Sequence, residues 1–242
     1  YNKLIADRAA ADAVIEKINA IGEVTLESGA AIEAAEAAYN ALTDDQKALV
    51  NNYDVLINAR STYEKLVSDR AAADAVIEKI NAIGEVTLES GAAIEAAEAA
   101  YNELTDDQKA LVNNYETLTN ARSIYEKLVA DRAAADAVIE KINAIGEVTL
   151  ESGAAIEAVE AAYNELTDDQ KALVNNYETL TNARSTYEKL VADRAAADAV
   201  IEKINAIGEV TLESGAAIEA AEAAYNELTD DQKALVNNYE TL

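Results

Sequence analysis

Apolar residues recur every three to four positions along most of the chain. In the first sixty residues Leu4, Ala11, Val14, Ile18 and Ile21 form one such stripe, with Glu16 and Lys17 between them. This spacing predicts an amphipathic helix, and Gly22 is a natural left-handed stop for it. GEVTLES then reads as a loop, with Val24 and Leu26 expected to tuck beneath the helices and Ser28, ahead of Thr25, expected to cap the next one. A second helix is predicted over roughly 28–42. Its inner stripe is Ile32, Ala35, Tyr39 and Leu42, and Glu33, Glu36 and Asn40 face water.

Thr43-Asp44-Asp45-Gln46 opens a third helix. The Thr hydroxyl is placed to accept the backbone N–H of Gln46, whose side chain reaches back: a capping box. Two aspartates in the first turn favour the positive end of the helix dipole. From Asp44 to Ile83 there is no Gly and no Pro, and Leu49, Leu56, Ala59, Tyr63, Leu66, Ala73, Ile77 and Ile80 continue the apolar stripe. The pattern predicts one helix over 44–83, about 58 Å long at the usual rise, with Asn51-Asn52 as a weak point where it can kink.

The same pattern returns three times. TDDQKALVNNY starts at 43, 105, 167 and 229, a period of 62 residues. The chain therefore divides into repeats 1–62, 63–124, 125–186 and a shorter 187–242, and a fixed period of this kind defines the architecture. Further long helices are expected over 106–145 and 168–207. The expected fold is all-α: three-helix bundles in tandem, joined by shared helices into a spectrin-like, elongated, monomeric rod in which each unit touches only its neighbours. Capping boxes are expected at Thr43/Gln46, Thr105/Gln108, Thr167/Gln170 and Thr229/Gln232.

Composition narrows the functions. The net charge is −27, which disfavours nucleic acid and anionic membrane surfaces, because both are bound through Lys and Arg. No apolar run approaches the roughly 20 residues of a membrane span. The chain has no His and no Cys, so Ser-His-Asp and Cys-His catalysis and ordinary zinc sites are ruled out. No phosphate-binding glycine loop or EF-hand spacing occurs. The reading is no enzyme, no cofactor and no metal.

Two polar groups interrupt the apolar seam. Asp69-Arg70, Asp131-Arg132 and Asp193-Arg194 are candidate inter-repeat contacts, with Asp74 and Asp136 four residues beyond Arg70 and Arg132. Asn51, Asn52 and Tyr53 are a candidate partner-binding face.

ALTDDQKALVNNY, preceded by GAAIEAAEAAY and VIEKINAIGEVTL, resembles a helical repeat of Gram-positive bacterial cell-surface proteins, in which a Leu-Thr-x-x-Gln-Lys-x-Leu-Val core recurs in long arrays. FIVAR and albumin-binding GA modules are similar more loosely. The resemblance implies an extracellular stalk or adhesin repeat region, part of something longer, that projects a functional domain. It also carries a rival: units that each hold a host protein weakly and add by avidity. The near-identity of the copies fits recent duplication or an engineered building block equally.

Overall fold

The computed structural model describes residues 2–242, and every regular element in them is helical. The chain forms two compact units, residues 1–126 and 127–242, each considered by itself.

In the first unit α1 (Asn2–Asn19) ends before Gly22, whose φ of +63° is the left-handed turn expected there. The turn through Thr25–Ser28 leads into α2 (Gly29–Asn40). Ser28 precedes α2 but makes no side-chain cap. Thr25 does not cap it either: its hydroxyl accepts Glu27 N–H, and its own N–H donates to Ser28 Oγ at 2.9 Å, so both side chains are spent within the turn that precedes α2. Val24 packs on the core, whereas Leu26 remains 45% exposed rather than tucked beneath the helices. Leu4 is exposed too, and the core-facing stripe of α1 starts at Ala11.

The helix expected over 44–83 is two helices. α3 (Asp44–Lys47) is a single capped turn, and α4 (Tyr53–Ala82) starts afresh after a break at Asn51-Asn52. The same division separates α6 (Asp106–Lys109) from α7 (Tyr115–Ala144), so the long helix expected over 106–145 starts at 115. It also separates α9 (Asp168–Ala172) from α10 (Tyr177–Asn205), in place of one helix over 168–207. The remaining elements are α5 (Gly91–Asn102), α8 (Gly153–Glu165), α11 (Gly215–Glu227), α12 (Asp230–Ala234) and a closing 3-10 turn at Tyr239–Thr241.

The break has a tertiary cause. Asn is a poor helix former, and leaving helical geometry lets the Asn52 side chain turn toward α1. There its Nδ2 donates to Ile15 O at 3.2 Å and Asn19 Oδ1 at 2.9 Å. Asn114, Asn176 and Asn238 repeat the arrangement against Ile77, Ile139 and Ile201.

The shared-helix principle survives in shorter form. The start of α4 closes one core, with Leu56 and Ala59 against Val14, Ile18, Ile32 and Ala35. Its end builds the next, with Ala73, Val76 and Ile80 against Ile94 and Ala97. In the second unit α10 plays the same part, Leu180 and Ala183 belonging to one core and Ala197, Val200 and Ile204 to another. Burying a Leu or Ile side chain contributes about 1.5–3 kcal/mol, and each core holds only a handful. Polar ties between the helices therefore matter in proportion.

Candidate functional site

The most organised polar cluster joins two groups that the sequence presents separately. All four capping boxes form: in the second copy Thr105 Oγ1 accepts Gln108 N–H, and Thr105 N–H donates to Gln108 Oε1 at 3.0 Å. Thr43/Gln46, Thr167/Gln170 and Thr229/Gln232 do the same.

The Gln amide has a second task. Gln108 Nε2 donates to Asp69 Oδ1 at 2.8 Å, and Lys65 Nζ lies 2.7 Å from Asp69 Oδ2. Lys65 also reaches Asp107, in the first turn of α6, at 3.1 Å. Asp69 is only 7% exposed. Asp7, Asp131 and Asp193 are buried likewise and are bound by Gln46, Gln170 and Gln232. Asp7, Asp69, Asp131 and Asp193 are the buried charged residues among those described.

The hydrogen bond from Lys65, then that from Gln108, hold the Asp69 carboxyl below its ordinary pKa, against the opposing effect of burial. Lys65 is raised correspondingly, through Asp69 first and Asp107 second. A carboxylate with both oxygens occupied and its pKa lowered is ionised at neutral pH and a poor proton acceptor. The cluster is suited to clamping a short helix onto α4, not to acid–base chemistry.

Asp69, Asp131 and Asp193 therefore point inward to a Gln of their own repeat. Arg70, Arg132 and Arg194 instead pair along their own helix with Asp74, Asp136 and Asp198, at 2.7–2.8 Å, on a half-exposed face. Among the described residues the hydrogen bonds and ion pairs of both groups stay within one repeat, rather than crossing to the next as expected.

At the candidate partner face, Asn51 is exposed but Asn52 is committed to α1 as described. Tyr53 stacks on Tyr39 with centroids 3.9 Å apart and planes 14° from parallel. Lys47 lies over the Tyr39 ring at 5.6 Å. The stack recurs at Tyr101–Tyr115, Tyr163–Tyr177 and Tyr225–Tyr239. Tyr53 thus ties the end of α2 to the start of α4.

One tie was not singled out in the sequence. Arg60 of α4 binds Glu36 of α2 through Nε, at 2.7 Å, and Nη2. Arg122–Glu98 and Arg184–Glu160 repeat this bidentate pair, the geometry in which Arg–carboxylate contacts are strongest. The constant separation of 24 residues across the copies was its only signal in the sequence.

Open grooves run between the helices. One of about 300 Å³ lies beside Ile80, Ile83, Val86, Thr117 and Ile124, with no ionisable side chain in its lining. Among the described residues no cluster of acidic side chains is placed to hold a metal ion, and no helix is long and apolar enough to cross a membrane. Compared with protein families, curated proteins and solved structures, the chain has no match.

Proposed function

We propose that this chain is a non-catalytic structural spacer, the repeat region of a stalk that projects another domain from a Gram-positive bacterial surface. The observation that carries the reading is α4, one uninterrupted helix whose two ends belong to two different cores. A helix shared in this way leaves no flexible linker between bundles, and copy number then sets length. The acidic surface keeps neighbouring stalks apart and soluble. The surface location rests on the resemblance of the TDDQKALVNNY repeat.

Small-angle X-ray scattering on the full chain tests the spacer. A rod of about 110–130 Å, from the rise per residue along the 30-residue helices less that of the returning 12-residue ones, has a radius of gyration of about 32–38 Å. A compact chain of this length has about 18 Å. The larger value, growing with each added repeat, supports the proposal, and a value near the smaller one overturns it.

One observation favours the rival reading in the first copy. Val55 and Ile57 are about half exposed there, at positions occupied by Thr117 and Thr119 in the second. Weak binding of a host protein by that copy, absent from the others, is what this difference supports. Titration of single-copy variants against serum proteins decides it.

A further inference from the structure

Four pairs of tyrosines stand face to face, with centroids 3.7–4.1 Å apart and planes within 22° of parallel. The pairing is selective. Tyr63 lies against Gly29 and Tyr125 against Gly91, and among the described residues neither stacks on another tyrosine. One member of each stacked pair, Tyr53, Tyr115, Tyr177 or Tyr239, is 37–41% exposed and open to a reagent in solution. The partners Tyr39, Tyr101 and Tyr163 are half-buried, so the pair sits at the surface of its bundle.

We propose that each stacked pair is a site of intrachain oxidative cross-linking, at which a one-electron oxidant such as a haem peroxidase with hydrogen peroxide joins the two rings as dityrosine. Each phenol gives an electron to the oxidant and a proton to solvent. The two phenoxyl radicals combine through the ring carbons ortho to their oxygens, forming one carbon–carbon bond. The hydrogens displaced at those carbons move to the oxygens and restore both phenols. The peroxide takes up the two electrons and two protons and becomes water. Coupling of two radicals is ordinarily bimolecular. Holding the rings in van der Waals contact makes it a reaction within one molecule, with the large advantage that proximity confers.

The placement gives the bond a consequence. Tyr39 is at the end of α2 and Tyr53 at the start of α4. A link between them encloses the capping box, α3 and the break at Asn52, the part of each bundle with the least regular structure. It converts that segment into a closed loop, which loses conformational freedom in the unfolded state.

The test treats the full-length protein, at high dilution, with peroxidase and hydrogen peroxide. Dityrosine fluorescence and peptide mapping are the readouts. Links Tyr39–Tyr53, Tyr101–Tyr115, Tyr163–Tyr177 and Tyr225–Tyr239 are expected, in monomeric protein and with a yield independent of protein concentration. In the variant Y53F/Y115F/Y177F/Y239F the intrachain links are lost, whereas Y63F/Y125F/Y187F retains them. Links chiefly between chains, links through Tyr63 or Tyr125, an unchanged signal in the first variant, or no link under conditions that couple free tyrosine would each overturn the proposal.

Discussion

The Tyr63 hydroxyl occupies the space next to Gly29 so closely that a Cβ at Gly29 would lie 2.5 Å from its oxygen. Gly91 meets Tyr125 at the same distance, and Gly153 meets Tyr187 as closely. Gly215, the fourth equivalent, has nothing within 4 Å. These glycines begin helices, where alanine is otherwise preferred.

The four positions therefore form an internal control. G29A, G91A and G153A should each destabilise their bundle by about 1–3 kcal/mol, the usual cost of forcing extra volume into a filled site. G215A should be neutral or stabilise by up to about 1 kcal/mol. Thermal melts of the four variants check this, and a uniform response would show that the tyrosine contact has no energetic weight.

The buried aspartates make stability depend on acid. Lys65 and Gln108 lower the folded pKa of Asp69 below its unfolded value, and Asp7, Asp131 and Asp193 are lowered in the same manner. Stability from a depressed carboxyl is complete above the unfolded pKa and is lost as pH falls through the folded one. The midpoint of melting should accordingly drop on the acid side. D7N/D69N/D131N/D193N should be less stable at neutral pH and flatter below it. Parallel acid slopes in the two proteins would mean that other carboxylates govern the transition.

Asn114 offers a sharper contrast. Its amide donates to Ile77 O and Asn81 Oδ1, while its own Oδ1 is buried without a partner. N114A loses both donated bonds, at about 1–3 kcal/mol in total. N114D should cost more at neutral pH, because a carboxylate then faces two oxygens, and should recover toward N114A in acid. Denaturant titration at two pH values separates the pair, and an aspartate variant as stable as the alanine one would contradict this account of the break.

The capping box predicts a smaller effect. T105A removes the hydroxyl that accepts Gln108 N–H and should cost about 1 kcal/mol. Q108A removes the reciprocal cap and the bond to Asp69 together, so it should cost more. Equal losses, read by denaturant midpoints, would mean that the contact with Asp69 adds nothing.

What could be read from the chain divides by distance along it. Helix stripes, the Gly22 stop and the Thr43–Gln46 box are decided by neighbours within a few residues, and their signals are local. The break before Tyr53 is local only in part: Asn51-Asn52 marks the weak point, but nothing near it shows that the helix ends there. Leu49, Val50 and Leu56 keep the apolar periodicity running through it, and the interaction that ends the helix lies 37 residues away at Ile15. Asp69 misled for the same reason. Its neighbours suggested a partner in the adjacent repeat, but the Gln that binds it is 39 residues ahead in its own. Ser28 was the better cap by residue type, yet the turn that begins at Thr25 recruited its hydroxyl as an acceptor for Thr25 N–H. Four copies supplied the period but no variation at these positions, so the repeats could not reveal which polar residues are paired.

A helix that serves two cores also acts as a gear shaft. Adding or removing one residue between Tyr63 and Ala73 would leave both ends of α4 helical but turn one set of core positions about 100° relative to the other, at 3.6 residues per turn. Leu56 and Ile80 could not then both face their bundles. Point changes such as Thr62 against Ile124 carry no such penalty. The copies differ by substitution alone, and TDDQKALVNNY returns at an unvarying 62 residues. Drift in such an array is free to alter side chains and barred from altering length, except by a whole repeat at a time.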